Sequence, residues 1–171
     1  IVNVTPDSFS DGGRDASAAM VHCDVLLTEG ADILDIGGES TRPGAKQPTV
    51  DEEIARVLPV VRHALTLGVP VSVDTSRVRV MRAVLDAGAD IINDIRALQG
   101  EGALLEVAQH GRAGVCLMHM QGEPATMQGA PTYLDVVNEV MGFLQQRIDA
   151  CVAAGVTRDR LCIDPGIGFG K

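Results

Sequence analysis

Several short apolar runs in this chain end in a side chain able to do polar chemistry. Asn3 follows Ile1-Val2, Asp74 follows Val69 to Val73, Asn93 and Asp94 follow Ile91-Ile92, and Asp164 follows Leu161-Cys162-Ile163. Carboxylates and carboxamides so placed can bond the edge of a polar heterocycle, hold a hard cation through oxygen, or steady a developing positive charge. Two loops add to the set. Asn3 to Gly13 leaves its apolar run as a Gly/Pro-punctuated segment carrying Thr5, Asp7, Ser8, Phe9, Ser10 and Asp11, and Gly37 to Gly44 repeats that composition with Thr41, Arg42 and Pro43. Loops of this make-up seldom serve packing. Arg42 offers a guanidinium fork suited to phosphate oxygens. Phe9, between two serines, makes poor sense on a loop unless it covers something.

Each of these residues also has a plain reading. Asp164 before Pro165-Gly166 suits an Asx turn, and Asp74 before Thr75-Ser76 suits a helix N-cap. Asn93 suits a bond to a neighbouring loop, Asn3 a cap at a strand end, and Arg42 a solvated cation. Asp94 points to the opposite face from Asn93 and reads as structural. His119, between Met118 and Met120, reads as a satisfied structural residue and is given no proton transfer.

Alternating strands and helices must position this set. Asp15 can cap a helix with apolar residues from Ala16 to Leu27 at helical spacing, stopped by Gly30. A strand at Ala31–Ile36 follows. Thr49 and Glu52 form a capping box for a helix with the stripe Ile54, Val57, Leu58, Val61 and Leu65, which Pro59 should kink. Further strands are expected at Val69–Val73, around Ile91-Ile92-Asn93, at Gly114–Met118 and at Leu161–Asp164, with helices near Ser76–Ala87, Gly102–Gln109 and Tyr133–Ala154. Gly88 to Ile95 echoes Gly30 to Ile36 almost residue for residue, as stacked βα units would.

Strict alternation implies parallel strands with helices outside. A doubly wound nucleotide fold would ordinarily place a glycine-rich phosphate loop after its first strand, and neither G-x-G-x-x-G nor a Walker A sequence stands there. Polar residues at the ends of many strands are instead the arrangement of a TIM (β/α)8 barrel. About six of the eight units are covered by residues 1–171, read as a single barrel domain and as a fragment of a longer one. On that reading the piece alone is expected to be neither active nor well folded, because sheet edges are left unpaired.

Composition narrows the function classes. The formal charge is −9, which argues against a nucleic-acid surface and gives no attraction to anionic membranes. No stretch approaches the ~20 apolar residues of a membrane span. Cys23, Cys116, Cys151 and Cys162 show no C-x-x-C pairing and read as reduced core thiols, which points to the cytoplasm.

The two loops, with Ser72-Val73-Asp74-Thr75, Ile91-Ile92-Asn93-Asp94-Ile95, Met118-His119-Met120 and Asp164-Pro165-Gly166-Ile167-Gly168-Phe169-Gly170-Lys171, closely resemble the dihydropteroate synthases, in that family's order along the whole chain. The resemblance implies an enzyme that condenses 7,8-dihydropterin-6-ylmethyl diphosphate with p-aminobenzoate by a dissociative, SN1-like route. It implies that Asp74, Asn93, Asp164, Ile95, Met118 and Phe169 bind the pterin, and that Asp74 stabilises the cation left when diphosphate departs. It assigns Asp11 and Phe9 to the closing first loop, and Ser10, Thr41, Arg42 and Pro43 to the diphosphate and p-aminobenzoate loops. Asn3 falls to Mg2+. The family's remaining units carry a Lys/Ser motif and an Arg-x-His motif, and a homodimer is implied for the full-length protein. The alternatives are a pterin-binding methyltransferase barrel, which has no need of a diphosphate loop, and a non-catalytic pterin-binding barrel.

Overall fold

The computed structural model describes residues 1–4, 15–39, 47–124 and 126–171. Its elements run β1 (Val2–Asn3), α1 (Asp15–Thr28), β2 (Leu34–Gly37), α2 (Val50–Ala64), β3 (Val71–Asp74), α3 (Val78–Ala87), β4 (Ile91–Asp94), α4 (Ala103–Gln109), β5 (Gly114–Met118), α5 (Val136–Ala153) and β6 (Leu161–Asp164), the last preceded by a short 3-10 turn, Arg158–Arg160. Every strand pairs in parallel with its successor, so the sheet order is β1-β2-β3-β4-β5-β6. A doubly wound sheet reverses its strand order at a switch point, whereas a sheet that never reverses winds one way around a barrel. The alternation read from the sequence is therefore realised as six consecutive strands of a (β/α)8 barrel.

Two packing faces follow from the two-residue period of the strands. Leu34, Ile36, Val71, Val73, Ile92, Val115 and Leu117 point outward and are buried against Val57, Val60, Val61, Val80, Met81 and Val84 of the helices. Each such side chain contributes about 1.5–3 kcal/mol by leaving water. The alternate positions, among them Asp35, Asn93, Cys116, Cys162 and Asp164, turn toward the barrel interior. Ile163 shares the outward set of its register partner Leu117, yet it is 51% exposed where Leu117 is fully buried. Among the described residues no helix covers it.

Local chemistry fixes the helix ends. The expected capping box forms: the Thr49 hydroxyl accepts from the Glu52 N–H at 3.2 Å, and the Glu52 carboxylate accepts from the Thr49 N–H at 2.7 Å. α2 runs through Pro59 to Ala64. Its buried face is Glu53, Val57, Val60, Val61 and Ala64, not the expected stripe, of which Ile54, Leu58 and Leu65 are only half-buried. Glu53 is drawn inward by the Thr75 hydroxyl, which donates to it at 2.7 Å.

Several bounds differ from the sequence expectation. β2 and β3 lie nearer their polar ends than expected, and α3 starts at Val78, not near Ser76. α5 starts at Val136, three residues past Tyr133. Asp135 caps it by accepting from the Asn138 N–H, and the Glu139 carboxylate accepts from the N–H groups of Leu134 and Asp135. Tyr133 is engaged elsewhere, donating its hydroxyl to the Gly170 carbonyl at 2.6 Å. No helix among the described residues is long and apolar enough to cross a membrane.

Candidate active site

Strand register brings the polar tips to one end of the barrel. Asn3 pairs with Gly37, Gly37 with Asp74, Asp74 with Asn93, and Met118 with Asp164. At Gly37 a Cβ would lie 3.5 Å from that of Asp74, an ordinary van der Waals contact. Gly38 has a different constraint: its Cβ would come within 2.6 Å of Val57 Cγ1, so only glycine lets β2 leave the sheet against α2.

Asp74 lines a cleft of about 200 Å3 together with Glu39, Thr75, Ser76, Arg77, Ile95 and Arg96. It is not a helix cap. The N-cap position of α3 is Arg77, whose N–H is taken by the Thr75 hydroxyl. Burial pushes the Asp74 carboxyl up to about 7, and the negative fields of Asp35, Asp94, Glu39 and Glu53 add to the shift. An acid so placed is poised near neutrality.

Asn93 donates from Nδ2 to Asp35 Oδ2 at 3.4 Å, and Asp35 Oδ1 is buried with no hydrogen-bond partner. A carboxylate accepts only, so this bond turns the amide nitrogen of Asn93 toward Asp35 and leaves its oxygen and second N–H free. Sequence reasoning missed Asp35. A signal for it existed: in the echo between Gly30–Ile36 and Gly88–Ile95, Asp35 falls opposite Asn93.

Asp164 accepts from the Gly166 N–H at 2.7 Å through Oδ1, so the Asx turn is real and occupies one oxygen of the two. The following loop is stitched to the end of β5. Lys171 Nζ donates to the carbonyls of His119, Gly166 and Phe169 at 3.1, 2.9 and 3.1 Å, and Gln128 donates to the Gly168 carbonyl. Gly166 has φ +66°, and a Cβ there would fall 2.0 Å from the His119 carbonyl oxygen. Phe169 is half-buried in this loop, its N–H bonded to the Gly166 carbonyl at 2.9 Å, and Met118 is almost fully buried at the end of β5.

Supporting groups fix the cleft wall. Asp94 accepts from the Ser76 hydroxyl and from the N–H groups of Arg96 and Leu98, the structural duty expected of it. These bonds hold a tight turn in which Ala97 and Leu98 adopt φ of 51° and 56°, and Arg147 of α5 donates to both of their carbonyls. The turn presents Ile95 and Arg96 to the cleft, where Arg96 pairs with Glu123. Arg77 sits between Glu39 and Glu53 and donates to the Pro48 carbonyl at 2.6 Å. His119 packs edge-on against Phe143 at 5.0 Å, and burial together with Lys171 lowers its basicity; its Nδ1 is buried without a hydrogen-bond partner, so the expectation of a satisfied residue fails at that atom.

The four cysteines are free. Cys23 and Cys151 are buried as expected, whereas Cys116 is half-buried and Cys162 exposed. The expectation of core thiols fails for this pair, which take inward positions on β5 and on β6, the strand at the edge of the described sheet. Asn3 is exposed at the tip of β1, and no cluster of three or more His, Cys, Asp or Glu able to hold a metal occurs among the described residues. Phe9, Ser10, Asp11, Thr41, Arg42 and Pro43 lie outside the described residues.

Comparison with known proteins agrees with this geometry. The chain is 53% identical over 175 residues to the dihydropteroate synthase of Neisseria meningitidis serogroup C, a match covering all of this chain and 62% of that protein. Among solved structures, the Yersinia pestis dihydropteroate synthase with a sulfonamide drug complex superposes with a TM-score of 0.92 at 50% identity, over 99% of this chain and 62% of that one. The Burkholderia cenocepacia dihydropteroate synthase complexed with 7,8-dihydropteroate gives 0.88 at 50% identity, over 99% and 58%. The chain thus spans about three fifths of the length of the relatives it matches. All of residues 1–171 match the family described as pterin binding enzyme, and the chain belongs to that family.

Proposed function

We propose that the protein carrying this chain joins 7,8-dihydropterin-6-ylmethyl diphosphate to p-aminobenzoate, giving 7,8-dihydropteroate and diphosphate. The reading is supported by the register, which sets Asp74, Asn93 and Asp164 toward the same end of parallel strands, in a chain half identical to a synthase crystallised with 7,8-dihydropteroate. A pterin edge presents adjacent N–H donors, which the uncommitted oxygen of Asp164 accepts. Asn93, oriented by Asp35, offers its oxygen and second N–H to the mixed ring nitrogens. Ile95, Met118 and Phe169 supply apolar contact to the ring faces.

Diphosphate departs from a CH2 attached to an electron-rich ring, and the carbon left behind is a delocalised cation. Asp74, when ionised, steadies that charge in a site where burial strengthens the field. The neutral amine of p-aminobenzoate then attacks the CH2, a C–N bond forms, and the ammonium proton leaves to solvent. No strong base is required, which agrees with a structural His119. Asn3 fits magnesium, which takes oxygen ligands, keeps several waters and needs few protein groups beside a diphosphate; when bound it would neutralise charge on the leaving group. By resemblance, Thr41, Arg42 and Ser10 hold phosphate oxygens, while Phe9, Pro43 and Asp11 close over p-aminobenzoate. We also place the protein in the cytoplasm, where four free thiols are at home, and infer a homodimer from the same resemblance.

The test is Asp74→Ala in the full-length protein. Turnover of the pterin diphosphate with p-aminobenzoate should be abolished while pterin binding by calorimetry persists through Asn93 and Asp164. Near-normal turnover in that variant removes Asp74 from the mechanism.

A further inference from the structure

Arg77 lines the cleft beside Asp74, yet the proposed reaction gives it no part. Each nitrogen of its guanidinium meets a different group. Nε lies 3.2 Å from Glu53 Oε2, Nη2 lies 3.3 Å from Glu39 Oε2, and Nη1 donates to the Pro48 carbonyl at 2.6 Å. A planar fork with donors on three nitrogens can hold acceptors that arrive from three directions. Two of these acceptors bracket one connection. Glu39 stands two residues past the end of β2, and Pro48 immediately precedes Thr49, the N-cap of α2. Between them in sequence come Thr41, Arg42 and Pro43.

The third acceptor and the backbone fix Arg77 itself. Its N–H is taken by the Thr75 hydroxyl at 3.2 Å, and that hydroxyl donates to Glu53 Oε1 at 2.7 Å. Glu53 is fully buried in the first turn of α2, and its Oε2 has no hydrogen-bond partner among the described residues, so the ion pair with Arg77 is what compensates it there. Burial raises the Glu53 carboxyl, while Thr75 and Arg77 act in the opposite sense. Arg77 thus has a buried footing three residues past Asp74, and from it reaches both ends of the connection between β2 and α2.

We propose that Arg77 is a positioning residue: it ties both ends of the β2–α2 connection to the strand that carries Asp74, and so sets the spacing between the groups that hold diphosphate and the acid that faces the cation. This rests on the proposed function, which gives Thr41 and Arg42 to phosphate oxygens. A connection pinned at both ends has less freedom to lose when ligand arrives, so untying it moves the ordering cost onto binding. The loss falls on ligands that carry diphosphate. A pterin without diphosphate relies on Asn93 and Asp164 and is held as before. Direct contact between Arg77 and a phosphate is the competing arrangement, and Glu39 separates the two. Replacing Glu39 with alanine removes a negative charge and frees Nη2 of Arg77. If Arg77 held phosphate itself, that change would tighten diphosphate binding; if it is a tie, one end is lost and binding weakens.

The experiment uses the full-length protein carrying Glu39→Ala, and a second variant combining Arg77→Met with Glu53→Gln, whose amide oxygen still accepts from Thr75 while no buried charge is orphaned. Calorimetry compares 7,8-dihydropterin-6-ylmethyl diphosphate with the 6-hydroxymethyl pterin that lacks diphosphate. Both variants should bind the diphosphate roughly tenfold more weakly, and the alcohol within about twofold of the parent. Unchanged or tighter diphosphate binding by Glu39→Ala overturns the proposal, and so does an equal loss of both ligands. Amide hydrogen exchange reads the tie without any ligand: the segment between Glu39 and Pro48 should exchange roughly tenfold faster in both variants, with α2 and α3 unchanged. Exchange there at the parent's rate also overturns it. If the double variant fails to fold, Glu39→Ala decides alone, since Glu53 keeps its partner in that protein. A parent that binds neither pterin, with exchange responding as expected, leaves the tie standing and counts against the proposed function instead.

Discussion

Replacing Asp74 with asparagine separates the charge of this residue from its shape, and the consequence for stability can be worked from its surroundings. The carboxyl is raised from 3.8 to about 7, by burial first and then by Asp35, Asp94, Glu39 and Glu53. In the unfolded chain it titrates near the ordinary aspartate value, ~3.9. Between these two values the folded state keeps a proton that the unfolded state has lost. The folded state binds more protons there, so stability falls as pH rises. The contribution is whole below pH ~4 and gone above pH ~7. A gap of roughly 3 units at about 1.4 kcal/mol each sets a ceiling near 4 kcal/mol, and solvent access to a half-buried carboxyl reduces the expectation to about 2 kcal/mol. Asparagine keeps the volume and never ionises. Asp74→Asn should therefore match the parent at pH 4 and exceed it by about 2 kcal/mol at pH 8 in urea denaturation, while turnover is lost. Stability curves that run parallel from pH 4 to pH 8 would mean that Asp74 ionises as in water, and the reasoning from its acidic neighbours would fail.

Two further substitutions probe the same end of the barrel. Asp35→Asn removes the second-largest cause of the Asp74 shift, so the acid limb of the kcat/KM profile should move to lower pH; it also frees the Asn93 amide to rotate, so KM for the pterin should rise several-fold, and an unmoved profile would refute the electrostatic link. Gly166→Ala sets a Cβ 2.0 Å from the His119 carbonyl at φ +66°, where no side-chain rotation can relieve the clash, and should cost about 2–4 kcal/mol with loss of pterin binding. Gly168→Ala is the control, since nothing lies within 4 Å of its Cβ, and only the left-handed backbone penalty of about 1–2 kcal/mol should appear.

The architecture was legible because its signals are local and repeated. Apolar runs of strand length, amphipathic helices and the Thr49–Glu52 capping box all point the same way, and alternation leaves parallel strands as the one arrangement. What local pattern could not supply was which side chain a tertiary partner would recruit. Glu53 breaks the expected apolar stripe of α2 and is nevertheless fully buried, because Thr75 and Arg77, more than twenty positions away, provide its bonds. The start of α5 was placed three residues early for a similar reason. Tyr133 has helical neighbours in sequence, but its hydroxyl is committed to Gly170 across the loop.

The site follows the same division. Asp74, Asn93 and Asp164 stand at or next to strand ends, where a polar residue after an apolar run is conspicuous, and parallel pairing sets them toward the same end of the sheet. Asp35 is the second residue of β2, two before the strand ends at Gly37, so it reads as one polar residue inside a strand. Its importance lies in depth, not in position along the chain. In a closed parallel sheet, residues at matching places in successive units reach the interior at related heights, and the echo between Gly30–Ile36 and Gly88–Ile95 sets Asp35 beside Asn93 before any coordinates exist. The bond between them passes across β3, where Asp74 stands, so one repeated segment supplies both the group that orients the carboxamide and the charge that perturbs the central acid. An internal repeat in a barrel therefore carries site information as well as fold information, because equivalent positions in neighbouring units converge on the same space.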